Sequence, residues 1–156
     1  MKVAFQMDPI TKVDTKADST FRIAEEAQHR GHLLFYYEPD KLTSENGKAI
    51  AAGHFFKIIG QGNNSVKLGQ EEVVELNEFD VVWLRQDPPF DMHYITTTFI
   101  LDALKAQTLV VNDPFWVRNF PEKLLVLNFP ELIPPTTITR DINVLKAFKE
   151  KYGDII

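Results

Sequence analysis

Val81-Val82-Trp83-Leu84 is an apolar run without polar alternation, bounded by Asp80 and by Arg85-Gln86-Asp87-Pro88-Pro89-Phe90-Asp91. β-Branched and aromatic residues in so short a run suit a strand covered on both faces, as the parallel strands of α/β proteins are. Proline cannot donate to a ladder, so Pro88 and Pro89 end it. Open α/β sheets bind ligands just beyond the carboxyl ends of their parallel strands. Arg85, Asp87 and Asp91 are therefore the first candidate site residues.

The segments before this run supply a parallel partner. Val3 to Met7 reads as a strand stopped by Asp8-Pro9, and a helix from Asp18 or Ser19, either of which can cap it, runs to about Arg30 before Gly31. Leu33 to Tyr37 follows as a second strand, which makes a βαβ crossover the natural connection. From Pro39 to Asn77 short apolar groups separated by Asn46-Gly47, Gly60, Gly62 and Gly69 predict short antiparallel strands. Asn46-Gly47 is a type I′ hairpin signal, and Gly60 to Asn64 is read as a mobile turn. The Gly-x-Gly there is no dinucleotide fingerprint, because no third glycine follows and no helix opens after it.

After the central strand, Asp91 is placed to cap a helix from Met92 to about Lys105, and Thr108 to Val111 forms another buried strand ending in Asn112-Asp113-Pro114. Three strands thus run into Asp-Pro, at Asp8, Asp87 and Asp113, which predicts a common rim. A short helix begins near Pro121, Thr136 to Thr139 reads as a strand, and Asp141 caps a last helix through Tyr152 with Gly153 as its stop. Asp154-Ile155-Ile156 reads as the opening of a further strand.

A formal net charge of −5 without a basic run argues against nucleic acid or an anionic membrane surface as partner. There is no cysteine, which excludes disulfides and thiolate metal sites. No apolar stretch approaches the roughly 20 residues of a membrane helix, and the N-terminus lacks a signal-peptide pattern. The chain is expected to be soluble and cytoplasmic. His29, His32, His54 and His93 show no ligand spacing, so no metal site is expected. Ser19 is better explained as a cap than as a nucleophile. Arg118, near Asn112-Asp113, is a second candidate cation whose helix could equally present it to solvent.

Met7-Asp8-Pro9, Arg85-Gln86-Asp87-Pro88-Pro89-Phe90-Asp91, Val111-Asn112-Asp113-Pro114 and Glu122-Lys123-Leu124, in this order and spacing, resemble the bacterial glutathione synthetases over essentially the whole chain. The resemblance implies an α/β fold: a pre-ATP-grasp, Rossmann-like, mostly parallel sheet with an antiparallel hairpin insertion over residues 1–119, then the start of an ATP-grasp domain, truncated, over 120–156. It implies a ligase that phosphorylates γ-glutamylcysteine with Mg-ATP and lets the amine of glycine attack the acyl phosphate. Carried over, Arg85, Asp8, Asp87 and Asp91 fall in the peptide-substrate site, the carboxylates orienting Arg85 or meeting the γ-glutamyl ammonium, and Lys123 matches a lysine that contacts ATP. No catalytic or metal-binding residue is expected here, because the glycine-rich loop and the acidic Mg2+ ligands of the family are not in this sequence. The chain alone is expected to be inactive and to bind no cofactor, and the resemblance makes the whole enzyme a homotetramer.

A rival expectation is a stand-alone small-molecule-binding or regulatory module derived from such a domain. A phospho-receiver domain fits less well, since only one aspartate follows the first strand. Phe115-Trp116 and Phe120 are read as surface made for further domains.

Overall fold

The structure, a computed structural model, describes residues 1–60, 62 and 65–155. Two compact units divide the chain, Met1–Asn119 and Phe120–Ile156.

The first unit opens with strand β1 (Lys2–Met7), helix α1 (Ser19–His29) and strand β2 (Leu33–Tyr37). The carboxylate of Asp18 accepts a hydrogen bond from the Phe21 amide at 2.6 Å, so Asp18 is the cap and Ser19 is not. Ser19 is free for another task because its neighbour satisfies the helix end. Asp18→Ala is expected to lower stability by about 1 kcal/mol, read from a urea unfolding curve. Gly31 takes φ 78° after the helix, a left-handed conformation that costs glycine no Cβ clash.

β1 and β2 pair in parallel, as the crossover required. Strand β6 (Val81–Arg85) pairs in parallel on the other side of β1, and strand β7 (Leu109–Val111) in parallel on β6. Helix α2 (Met92–Asp102) joins the last two strands, and helix α3 (Pro114–Asn119) follows β7. The second half of the sheet is antiparallel: β3 (Leu42–Glu45), β4 (Lys48–Ile58) and β5 (Val66–Glu75), with β4 pairing β2, β3 and β5. The result is one mixed, seven-stranded Rossmann-like α/β sheet, with β2 and β1 at its centre and β6 beside β1.

The expectation of short strands between Pro39 and Asn77 is corrected here. β4 has 11 residues and β5 has 10, because Gly53 and Gly69 lie within strands and do not break them. Asn46 and Gly47, at φ 51° and 80°, make the predicted tight turn between β3 and β4. Gly69 belongs to a bulge: His54 faces Glu71 and Phe56 faces Leu68, so Gly69 and Gln70 both oppose Phe55. Part of the predicted turn at Gly60 to Asn64, namely Gln61, Asn63 and Asn64, lies outside the described residues.

Strand residues alternate between two cores. Val3, Phe5, Met7, Leu34, Tyr36 and Val81 pack with Ala24 of α1 on one face. Ala4, Phe35, Tyr37, Val82 and Leu84 pack with Leu101 and Leu104 on the other. Phe35 anchors that second core, with ring centroids of Phe55 and Phe79 at 5.1 and 5.4 Å.

The second unit contains helix α4 (Glu122–Leu125) and helix α5 (Ile142–Tyr152), the latter capped by Asp141, whose carboxylate accepts from the Asn143 amide at 2.8 Å. Gly153 ends α5 at φ 83°. Thr136 to Thr139 is not a strand, contrary to expectation. β-Branched residues favour extended backbone but need a ladder to become a strand, and none runs beside them among the described residues. The same holds for Asp154 and Ile155; Ile156 lies outside the described residues. No helix among the described residues is long and apolar enough to cross a membrane.

Candidate ligand site at the strand ends

Because β1, β6 and β7 are parallel neighbours, their carboxyl ends share one edge of the sheet, and each runs into its Asp-Pro there. α1 and α2 each follow one of these strands, so both helices begin at that edge. The carboxylates of Asp8, Asp91 and Asp113 have separate tasks. Asp8 Oδ2 accepts a hydrogen bond from the Asp87 amide at 2.8 Å and ties the two central loops together. Asp91 Oδ1 accepts from the amides of His93 and Tyr94 at 2.9 and 3.1 Å, which caps α2. Asp113 Oδ1 accepts from Phe115 and Trp116 at 2.9 and 3.2 Å and caps α3. The Pro88–Pro89 and Val111–Asn112 peptides on this rim are cis.

Arg85 is the last residue of β6 and shares the α1 face with Met7, its register partner. Its Nε donates to Thr20 Oγ1 at 2.9 Å and its Nη2 to Ser19 Oγ at 2.8 Å. The expectation that Asp8, Asp87 or Asp91 holds Arg85 is corrected. Period-2 alternation sends the guanidinium toward the start of α1, where hydroxyls receive it, while Asp8 and Asp91 spend oxygens on backbone amides. No carboxylate among the described residues forms an ion pair with Arg85 within 4.0 Å.

Tyr94 adds an aromatic wall that the sequence did not reveal, because in the helical pattern it reads as one more apolar residue. It is half-buried, its ring packs against Phe90 at 5.0 Å, and burial raises its phenol above the ordinary range. Arg85 opposes that rise, while Asp87 and Asp8 add to it, so the phenol lies within electrostatic reach of all three. On the opposite face of the sheet, buried Gln6 donates through Nε2 to Gln86 Oε1 at 2.9 Å.

Arg118, the second candidate cation, is not presented to solvent. Its side chain is 12% exposed, its Nη2 bonds Asp102 Oδ2 at 2.6 Å, and its guanidinium lies 4.3 Å from the Phe99 ring centroid. Lys105 bridges Asp102 and Asp113 at 2.9 and 3.0 Å. The network joins the end of α2 to the start of α3 and has a structural task. Phe115 and Trp116 are exposed and meet edge-to-face at 5.1 Å. Lys123 lies exposed on α4 in the second unit. No group of three or more His, Asp or Glu side chains among the described residues is placed to hold a metal ion.

The family described as prokaryotic glutathione synthetase, N-terminal domain, matches residues 1–118. The chain belongs to that family. It is similar to the glutathione synthetases of Bradyrhizobium diazoefficiens, 49% identical over 156 residues, and Mesorhizobium japonicum, 48% identical over 156, and each alignment takes in all of this chain and 50% of the relative. The glutathione synthetase of Vibrio parahaemolyticus is 41% identical over 157 residues, again with all of this chain and 50% of its own length. The chain spans about half the length of the curated relatives it matches. The family match covers the whole sheet and the rim around Arg85 and stops within α3.

Proposed function

We propose that the rim at the ends of β1 and β6 binds the peptide substrate of a glutathione synthetase, with Arg85 taking a carboxylate of γ-glutamylcysteine. One observation carries this reading: Arg85 is held by two neutral hydroxyls and has no ion pair among the described residues, at the edge where α/β sheets bind ligands. A guanidinium placed so is complementary to an anion and keeps its charge for one. Asp8 and Asp87 lie on the same rim, where a carboxylate can meet the ammonium of a γ-glutamyl group.

In the full-length protein the proposed activity is ligation of γ-glutamylcysteine with glycine at the expense of ATP through an acyl phosphate, and names and family membership of the relatives support it. Residues 1–119 would serve as substrate domain and residues 120–156 as the opening of an ATP-grasp domain, with Lys123 meeting ATP phosphate. The described residues offer Mg2+ no ligand set, and its ligands are proposed to lie in the half of the family's length that this chain does not span. The family resemblance likewise supports a cytoplasmic homotetramer.

Arg85→Ala in the full-length protein is expected to raise KM for γ-glutamylcysteine by about tenfold or more, the range set by a charge-assisted hydrogen bond. KM for glycine and for ATP should stay within twofold, roughly the scatter left when no contact is lost. An unchanged KM for the peptide would remove Arg85 from its site.

A further inference from the structure

We infer that Ser19 and Thr20 are positioning residues that lock Arg85 by its Nε–Nη2 edge, so that its end-on edge receives the non-reacting carboxylate of the peptide. The inference rests on the proposed peptide-binding role of this rim and names the part of the substrate that Arg85 meets.

A guanidinium has two edges suited to a two-pronged partner. One is formed by Nε–H and the near hydrogen of Nη2; the other is the end-on pair of Nη1 and Nη2. Thr20 and Ser19 occupy the first edge completely, through Nε at 2.9 Å and Nη2 at 2.8 Å. The end-on edge is thereby aimed, with two parallel N–H groups at the spacing of carboxylate oxygens. Hydroxyls are neutral, so the positive charge is held in place without being cancelled. Thr20 is 3% exposed and β-branched, which restricts its rotamer and gives its buried hydroxyl a required partner. Asp18 takes over capping of α1, which releases both hydroxyls for Arg85.

A two-pronged clamp engages both oxygens of its carboxylate. The carboxylate that is phosphorylated must keep one oxygen available to attack phosphorus. The clamp therefore suits the glutamyl α-carboxylate, which is unchanged by the reaction.

The test uses the full-length protein with Thr20→Val, Thr20→Ser, Ser19→Ala and Arg85→Ala. Thr20→Val is expected to raise KM for γ-glutamylcysteine by about threefold to tenfold, the net size of one ordinary hydrogen bond, since it acts only through the placing of Arg85, with kcat within about twofold. Thr20→Ser should restore it, and adding Thr20→Val to Arg85→Ala should change nothing more, because the two act as one unit. γ-Aminobutyrylcysteine, which lacks the glutamyl α-carboxylate, should show the same KM in all four variants as in the parent. Ser19 is exposed, so Ser19→Ala carries the test if Thr20→Val does not fold, with a rise of about threefold for its single bond. If Arg85→Ala raises KM while Thr20→Val and Ser19→Ala leave it unchanged, the positioning role is wrong and the peptide site stands. If Arg85→Ala has no effect, both fall. If γ-aminobutyrylcysteine responds to the substitutions as the natural peptide does, the assignment of the α-carboxylate is wrong.

Discussion

Gly53→Ala is expected to destabilise the first unit by more than about 3 kcal/mol, beyond the usual cost of an overpacked core, and to leave much of the protein unfolded at moderate urea. A Cβ at this position would overlap the Tyr36 carbonyl oxygen and lie 2.9 Å from both Cζ of Phe35 and Cβ of Tyr37. The worst of these contacts is with backbone, so no rotamer change relieves it. β2 and β4 would have to separate where Tyr36 faces His54, and β4 is the strand on which β2, β3 and β5 all depend. The damage would reach the ligand rim. Tyr36 accepts from the Ile10 amide at 3.2 Å and donates to Glu38 at 2.9 Å, which holds the loop after Asp8-Pro9. Urea unfolding followed by circular dichroism measures the loss; a variant within 1 kcal/mol of the parent, roughly the cost of an ordinary surface change, would show that the strands can part cheaply.

Asp102→Ala is expected to cost about 2 kcal/mol, less than the 3–5 of a fully buried pair because Asp102 is partly exposed. The loss comes from Arg118, which is 12% exposed and would keep its charge with no carboxylate beside it. Lys105 hydrogen-bonds Asp102 and, with Arg118, holds its carboxyl below the ordinary carboxylate value of 3.8. A carboxyl depressed in the folded state stabilises the fold above its unfolded value. That contribution is lost as pH falls below about 4, through the native value. Asp113 acts in the same sense: burial alone would raise its carboxyl, but Lys105 and the amides of Trp116 and Phe115 together outweigh that and lower it. The parent should therefore lose stability more steeply than Asp102→Ala between pH 5 and pH 3, roughly the interval over which such carboxylates protonate. Parallel slopes for parent and variant would show that the pair contributes nothing.

The parallel half of the sheet was legible because its signals are local. Apolar runs ended by Asp-Pro mark β1, β6 and β7, and Asp18, Asp91 and Asp141 announce three helices through chemistry confined to one turn. The antiparallel half was legible in kind but not in length, since Gly69 looks like a strand breaker until the bulge opposite Phe55 is seen. α3 has only 6 residues and opens on a proline, too short for periodicity to register. Arg85 could be picked out as the charge closing a buried strand. Its partners could not, because Ser19 and Thr20 lie 66 and 65 residues away and look like ordinary helix-start residues. Tyr94 was hidden for a different reason: in the helical pattern it reads as one more apolar residue.

The bulge on β5 also bears on how molecules of this protein meet. β5 carries an exposed run from Gly69 to Val73 at the border of the sheet, the kind of row on which another chain can template itself. Glu71 and Glu72 place like charges along it, Lys67 adds a solvated ammonium, and the extra residue at Gly69-Gln70 twists the row out of line. A second copy approaching edge to edge would meet repulsion and broken register at once. Along β5 the sheet is thus guarded against edge-to-edge growth.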